Sequence, residues 1–337
     1  MINYVYQLTS PRIFRIKYED MDLKNKIIIK PNYLAICHAD QRYYLGQRDS
    51  KILKEKLPMA LIHEACGIVV KDPTNTYMPG QKVVMIPNAI DKNDDVIYEN
   101  YDKTSYFLSS GYDGFMRELV DLPLDRIVPY ENVDDKIAAI TEFVSVAVHS
   151  VSRFKQIAHS RRNSIAIWGD GSLAYVVSSI LKIECPASKI IVIGRNQEKL
   201  SQFTFVDKTY LVDEVEDNFE IDHAFECAGG EGSAFAIDDA IKYINPQGTI
   251  MLMGVSENKI PILTRNVLEK GITMVGSSRS GRVDFEKTVQ YLEETNLASR
   301  LEKIIYVDEE VSSIKDINRV FSNDLNTTFK TVFKWNM

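Results

Sequence analysis

The 337-residue chain has few cysteines, less basic than acidic charge and no long apolar run. It has four cysteines, Cys37, Cys66, Cys185 and Cys227, and no Cys-x-x-Cys pair. So few, so scattered, cannot form a disulfide framework for a chain of this length, so each is a core residue or a metal ligand. No apolar run approaches the roughly 20 residues of a membrane helix, which excludes membrane insertion by a helix. The first residues, Met1 to Gln7, lack the basic region and apolar core of a secretory signal, so the cytoplasm is the expected compartment. Basic residues number 40 against 47 acidic ones, a net charge of -7 that argues against nucleic acid as the main partner. Local basic clusters remain able to hold small phosphorylated ligands. There is no internal repeat and no low-complexity tract. What is present, 45% hydrophobic and 26% charged residues, is the balance of a soluble globular protein, and the length suits two domains of about 150 residues.

Residues 1 to 130 are strand-rich and irregular, with β-branched or apolar runs at Lys26 to Ile29, Ala65 to Val70 and, after the Pro79-Gly80 turn, Gly80 to Met85. This pattern predicts an antiparallel, barrel-like domain. Asp91 to Asp95 reads as an exposed turn. From Asp134 to Phe154 the period becomes helical, with Ile137, Ile140, Val144, Val148 and Val151 three or four apart, a helix to carry the chain between domains. A regular alternation follows. Strands are expected at 164–168, 189–193, 208–212, 221–227, 248–254 and 272–276, with helices beginning near Ser172, Gln197, Gly232 and Thr264. Alternating βα units predict a doubly wound parallel sheet covered on both faces. After Gly281 come a helix from Asp284 to Asn296, a strand at Lys303 to Val307, a helix at Ile314 to Ser322 and a closing strand at Lys330 to Trp335, which return the chain to the first domain. The expected layout is a nucleotide domain, 146–278, inserted in a catalytic domain made of 1–145 and 279–337.

The alternation opens on Ser164 to Ala174, a buried strand turning into a helix with Gly169, Gly171 and Ala174 at the spacing of a dinucleotide fingerprint. The first glycine allows the tight turn, the second lets the backbone approach a pyrophosphate, and the alanine packs helix on strand. Ser172 and Leu173 complete that turn. An acid at the end of the second strand would accept hydrogen bonds from the ribose 2′-hydroxyl of NAD. Here that strand ends in Gly194-Arg195-Asn196. Glycine leaves room for a 2′-phosphate and Arg195 can pair with it, with Lys199 as a helper, which favours NADPH.

A second constellation lies in the first domain: Cys37-His38-Ala39-Asp40, His63-Glu64-Ala65-Cys66-Gly67 and Thr141-Glu142-Phe143. Thiolate, imidazole and carboxylate are zinc ligands, and three of them with an open position make a catalytic site. With these segments in family order, followed by the mid-chain fingerprint, Phe225-Glu226-Cys227-Ala228-Gly229 and Gly276-Ser277-Ser278-Arg279, the chain resembles the zinc-dependent medium-chain dehydrogenase/reductase family over essentially its whole length. The resemblance implies a Rossmann domain inserted in a GroES-like, mainly antiparallel catalytic domain. It implies zinc bound by Cys37, His63 and Glu142, with Glu64 as fourth ligand or holding the bound water, and Asp40 orienting an imidazole. It also implies cofactor contacts at Cys227 and Gly254. Glu142 in place of a cysteine resembles the polyol dehydrogenase branch.

Further peptides, Asp40-Gln-Arg-Tyr-Tyr, Leu57-Pro-Met, Ser105-Tyr-Phe with Ser109-Ser110-Gly111, Asp113-Gly-Phe-Met, Trp168-Gly-Asp-Gly and Gly276 to Gly281, resemble the ribulose-5-phosphate reductases of teichoic-acid and related ribitol-phosphate polymer synthesis. What this implies is reduction of D-ribulose 5-phosphate by NADPH to D-ribitol 5-phosphate, which a partner cytidylyltransferase activates to CDP-ribitol; a homodimer is implied as well. Two alternatives stay open: a zinc polyol dehydrogenase acting with NAD on an unphosphorylated sugar alcohol, and a non-catalytic NADPH-binding sensor. Two departures from the family pattern are visible. Ala39 replaces the usual hydroxyl relay, so the proton is expected from water at the metal with Glu64 or Tyr43. The four clustered cysteines of a structural zinc are missing between Asn88 and Gly114, so one catalytic zinc and no structural zinc are expected. Arg42 and Arg279 are the candidates for the substrate phosphate, with Arg48 and Arg282 behind them, though each is equally suited to a surface ion pair. His149 and His223 are expected to be structural and Cys185 inert.

Overall fold

The computed structural model describes residues 1–21, 23–90 and 94–337. The expected turn at Asp91 to Asp95 falls partly outside these; within them, the Asp94 carboxylate accepts the N–H groups of Val96 and Ile97. The chain divides into two compact units, Met1–Ser145 with Ser280–Met337, and Val146–Arg279.

The first unit is built on a seven-stranded sheet whose centre is the Ile27–Ala35 strand. It pairs antiparallel with Glu64–Lys71 on one side and Lys330–Trp335 on the other. Residues from the first and last tenths of the chain are therefore neighbours in one sheet. The inward residues of these strands, including Ile29, Leu34, Val69, Phe333 and Trp335, share a core with Phe115, Val320 and Phe321. Each fully buried apolar side chain of this size contributes roughly 1.5–3 kcal/mol. The helix Ile314–Asp324 follows from its period: Ile317, Val320 and Phe321 are buried while its other face is polar, and Ser313 caps it by accepting the N–H of Asp316. Gly67 is required by close approach, since a Cβ there would lie 2.5 Å from the Lys30 carbonyl oxygen on the neighbouring strand.

The second unit is a six-stranded parallel sheet with Ser164–Trp168 at its centre. Counting strands along the unit, the order is 3-2-1-4-5-6, the doubly wound arrangement in which a ligand crevice opens where the order reverses, beside the first strand. The strands are Ser164–Trp168, Lys189–Gly194, Lys208–Leu211, Ile221–Glu226, Ile244–Leu252 and Thr273–Gly276. Their residues, such as Ala166, Ile191, Ala224 and Ile250, are fully covered, as a sheet with helices on both faces demands. The helical run expected from Asp134 to Phe154 is two helices, Asp135–Ala138 and Thr141–Ile157. Thr141 begins the second with its hydroxyl bonded back to the Ala138 carbonyl, and this break places Glu142 in a first helical turn. Among the described residues no helix is long and apolar enough to cross a membrane.

Candidate active site

Cys37 is the residue that caps the short helix His38–Tyr44, and the Cys-x-x-Asp spacing serves that cap: the Asp40 carboxylate accepts the Cys37 backbone N–H at 3.1 Å. Asp40 is almost wholly buried, and its other oxygen accepts the Ile62 N–H at 3.0 Å and the Ser109 hydroxyl at 2.8 Å. The same oxygen stands 3.6 Å from His63 Nδ1. The carboxylate thus stands beside Nδ1 beyond hydrogen-bond length, while the Phe107 ring packs edge-on against the imidazole at 5.2 Å. Ile62, the residue before His63, has a φ of 70°, a left-handed conformation that a β-branched side chain adopts only under constraint. Asp40 on its N–H and the Phe115 N–H on its carbonyl, at 2.7 Å, supply that constraint.

His63 and Glu64 then open the central-sheet strand Glu64–Lys71, and ligand atoms of Cys37, His63 and Glu64 lie within 4.8 Å of one another. Among the described residues this is the one group of three or more such side chains close enough to share a metal. Glu142 stands outside that tight group, though near enough to interact electrostatically with His63, Glu64 and Asp40. It is 6% exposed, and its carboxyl is pushed up to about 7, first by burial and then by the charges of Glu64 and Asp40, against the pull of His63 and Lys330. For His63 burial disfavours the charged form, but Asp40 and Cys37 outweigh it and hold the imidazole well above its ordinary value. An acid that cannot easily ionise beside an imidazole that readily charges is the signature of a pocket with an excess of negative donors. A divalent cation resolves both.

Lys330 is the residue that motif reading missed. Its ammonium, from the first position of the closing strand, reaches Glu64 Oε1 at 2.6 Å and the Ile36 carbonyl at 2.9 Å, and sits over the Phe143 ring at 4.7 Å. Both members of the pair are buried. Glu64 Oε2 has no hydrogen-bond partner among the described residues. A buried carboxylate with one oxygen neutralised and the other unpartnered fits a metal site, because the unpartnered oxygen is costly unless something binds it. The signal in the sequence was the alternation Lys-Thr-Val-Phe-Lys-Trp, which places Lys330 in step with Val332, buried on the face opposite Phe333 and Trp335; a charged residue buried on a sheet face needs an opposite charge there. The role of Ser109 at Asp40 was equally unforeseen, because only folding brings the two together.

Other candidates find different partners. Tyr43 is 3% exposed, beneath the Arg48 guanidinium at 4.9 Å, so Arg48 is engaged with that ring. Arg282 is bound to Glu286 at 2.8 Å and to the Ile127 carbonyl at 2.9 Å. Arg42 lies in the last turn of the His38–Tyr44 helix, in the first unit, and Arg279, with a φ of 56°, ends the second. His223 is structural: it accepts the Thr249 N–H on Nδ1, and burial followed by His159 lowers its pKa to about 4. Burial raises the thiols of Cys66, to about 12, and of Cys185 and Cys227, so none of the three is poised to react.

In the second unit Gly169 has a φ of 138°, and a Cβ there would lie 2.9 Å from the Cys227 backbone. Gly171 begins the helix Ser172–Glu184, and a Cβ on it would meet no atom within 4 Å. A bare helix N-terminus facing open space is what a pyrophosphate needs. Ala174 is fully buried against the sheet. Glu226, whose role motif reading did not foresee, is a buried hub: it accepts the N–H groups of Ala228, Gly229 and Gly254 and the Ser233 hydroxyl, at 2.9–3.0 Å. It ties the loop after the fourth strand of this sheet to the loop after the fifth, and holds Cys227 and Gly254 in place. Gly194 is glycine for a reason other than room for a phosphate, since a Cβ on it would lie 2.6 Å from the Cβ of Asp170.

Comparison with known proteins gives a consistent result. Residues 23–132 match the alcohol dehydrogenase GroES-like domain, and residues 179–294 match the zinc-binding dehydrogenase domain. The chain is 56% identical to a ribulose-5-phosphate reductase of Streptococcus pneumoniae, over 99% of this chain and 98% of that protein. It is 46% identical to ribulose-5-phosphate reductase 1 of Staphylococcus aureus over the full length of both. Among solved structures, S. aureus TarJ in complex with NADPH superposes with a TM-score of 0.90 at 41% identity, covering 100% of both chains.

Proposed function

We propose, because this chain belongs to the zinc-binding dehydrogenase family with a GroES-like domain, that it is an NADPH-dependent ribulose-5-phosphate reductase. The observation that carries this is the 56% identity to such a reductase over 99% of the chain, and the approach of the Cys37, His63 and Glu64 donors to within 4.8 Å of one another supports it. The reaction takes D-ribulose 5-phosphate, NADPH and a proton to D-ribitol 5-phosphate and NADP⁺. The resemblance adds a place in ribitol-phosphate polymer synthesis, teichoic acid among them, a cytoplasmic setting, a homodimer and a cytidylyltransferase partner.

We assign one catalytic zinc, which Cys37, His63 and Glu142 would hold, with Glu64 as a fourth ligand or as the group that holds the bound water; the unpartnered Glu64 Oε2 supports a role for it there. When bound, the metal supplies a Lewis acid for the substrate ketone and NADPH supplies the hydride. The protein's own groups do the rest. Asp40 sets a negative charge beside His63 Nδ1 that favours a proton there, and the buried Lys330 offsets the charge of Glu64. Gly169, Gly171, Ser172 and Ala174 seat the pyrophosphate, Cys227 and Gly254 line the cofactor, and Arg195 with Lys199 meets the 2′-phosphate. Arg42 and Arg279 are assigned to the phosphate of the sugar. The catalytic domain is 1–145 with 279–337 and the nucleotide domain 146–278.

One assay tests the reading: oxidation of NADPH and of NADH followed by absorbance with ribulose 5-phosphate, ribulose and xylulose 5-phosphate, with and without a chelator, alongside zinc analysis. The expected result is turnover of NADPH with ribulose 5-phosphate above the others, abolished by the chelator, and one zinc per chain. Preference for an unphosphorylated sugar with NADH would overturn it in favour of a polyol dehydrogenase, and NADPH binding without turnover in favour of a sensor.

A further inference from the structure

The acid that dinucleotide-binding chains of the NAD type carry at the end of the second strand is absent here, yet a carboxylate occupies its neighbourhood. It comes from Asp170, the residue between the two glycines of the fingerprint turn. One oxygen, Oδ2, accepts the backbone N–H of Arg195 at 2.7 Å and of Asn196 at 2.8 Å. The two strands that deliver these residues are paired in parallel register, with Trp168 opposite Ile193, so the turn after one strand lies against the turn after the other. The fit is close. A Cβ on Gly194 would lie 2.6 Å from Asp170 Cβ and 2.9 Å from Oδ2. Asp170 and any side chain at position 194 are therefore mutually exclusive, and glycine at 194 is the counterpart of aspartate at 170.

We propose that Asp170 is a positioning residue for the 2′-phosphate of NADPH, which it serves by locking the Gly194-Arg195-Asn196 turn that carries Arg195. The physical reasoning has three steps. Two charge-assisted hydrogen bonds to consecutive backbone N–H groups remove the freedom of that turn to rotate. The locked turn starts the helix Gln197–Leu200, with the Asn196 side chain accepting the Lys199 N–H at 3.0 Å, so Lys199 is set by the same device. The Arg195 side chain is left exposed, with its guanidinium toward the start of the Gly232–Tyr243 helix, where a Cβ on Gly232 would lie 3.9 Å from Arg195 Nη2. The negative charge of Asp170 is spent on two N–H dipoles instead of facing the phosphate. An acid inside the fingerprint is thus compatible with NADPH, whereas an acid at the strand end would accept a 2′-hydroxyl and repel a phosphate.

This rests on the NADPH reading, and the test separates the two. Dissociation constants for NADPH and NADH are measured on the zinc-loaded protein by quenching of tryptophan fluorescence, for the wild type and for Asp170→Ala, Asp170→Asn, Arg195→Ala and the Asp170→Ala/Arg195→Ala pair. A wild type with no preference for NADPH defeats the NADPH reading. Given that preference, Asp170→Ala is expected to weaken NADPH by roughly tenfold, about the worth of one charge-assisted hydrogen bond, while NADH changes much less. Asp170→Asn, which keeps an acceptor oxygen, should recover part of the loss, and the double variant should be no weaker for NADPH than Arg195→Ala alone. The proposal is overturned if Asp170→Ala or Asp170→Asn leaves NADPH unchanged, which would mean that the carboxylate has no part in its binding, or tightens it, which would mean that it acts by repulsion. It is overturned equally if both cofactors weaken in parallel, or if the losses at 170 and 195 add. Should Asp170→Ala fail to fold, Asp170→Asn alone carries the same NADPH-to-NADH comparison.

Discussion

Glu142→Gln should make the zinc-stripped protein more stable at neutral pH while weakening its hold on zinc. The Glu142 carboxyl stands at about 7 in the folded protein against an ordinary value of 4.5, with burial as the largest cause. Its folded-state affinity for a proton is therefore higher than in the unfolded chain, and the folded state gives up that proton only at higher pH. The sign follows: stability falls as pH rises from about 4.5 to about 7, and above that window the full penalty applies. The displacement corresponds to roughly 3 kcal/mol at pH 8. Glutamine has the same shape and never ionises, so it escapes this cost. At roughly 2–4 °C per kcal/mol for domains of this size, the stripped variant should melt several degrees above the stripped wild type at pH 8 and alongside it near pH 5. With zinc present the order reverses, because the carboxylate's charge, a liability alone, becomes the ligand. The assay is thermal unfolding of both proteins across pH 5 to 8, with and without zinc, together with a zinc-binding isotherm. A Glu142→Gln protein that melts below the stripped wild type at pH 8, or that binds zinc as tightly, would refute the reasoning.

Two other perturbations address the rest of the site. Lys330→Met leaves the Glu64 carboxylate buried without its 2.6 Å partner and should cost about 3–5 kcal/mol in the zinc-stripped protein, measured by urea unfolding. Adding Glu64→Gln should restore much of that loss, and no recovery would count against a charge-pairing role. Gly254→Ala would bring a Cβ to 2.4 Å from Glu226 Oε1 and 2.5 Å from the Gly229 nitrogen, so NADPH binding should fall at least about tenfold while zinc content stays unchanged. A loss of zinc in that variant would contradict the assignment of Gly254 to the dinucleotide unit.

Much of the nucleotide unit was legible because its signals are local. Strands at 164–168, 189–194 and 208–211 are short β-branched runs between turn residues, and period alone finds them. The helical run near Asp134 shows where period stops being sufficient. The two helices part at Ala139 and Ile140, where the Ile140 N–H bonds three residues back to Ile137 in place of four, and a break of that kind leaves the apolar spacing untouched. In the metal pocket, Cys37, His63 and Glu64 could be named because the peptides that carry them stand in the order of the family the chain resembles; residue types and spacing alone do not join pieces so far apart. Glu142 was named with them, but whether its carboxylate joins the tight group depends on the start of the Thr141–Ile157 helix, which no motif specifies.

By itself, then, the sequence determined the order of the elements and the dinucleotide turn, since these depend on residues within a few positions of one another, while the candidate donors Cys37, His63 and Glu64 came from the resemblance to the family. The tertiary structure alone decided what compensates those donors. Lys330 meets Glu64 across 266 positions of the chain, and Ser109 meets Asp40 across 69. Buried charge is tolerated only where a partner is brought to it by packing, and packing in a sheet joins strands without regard to their distance in sequence. Gly194 makes the same point at short range. Its missing side chain looked like room for a ligand, and only the folded turn shows that Asp170 already fills it.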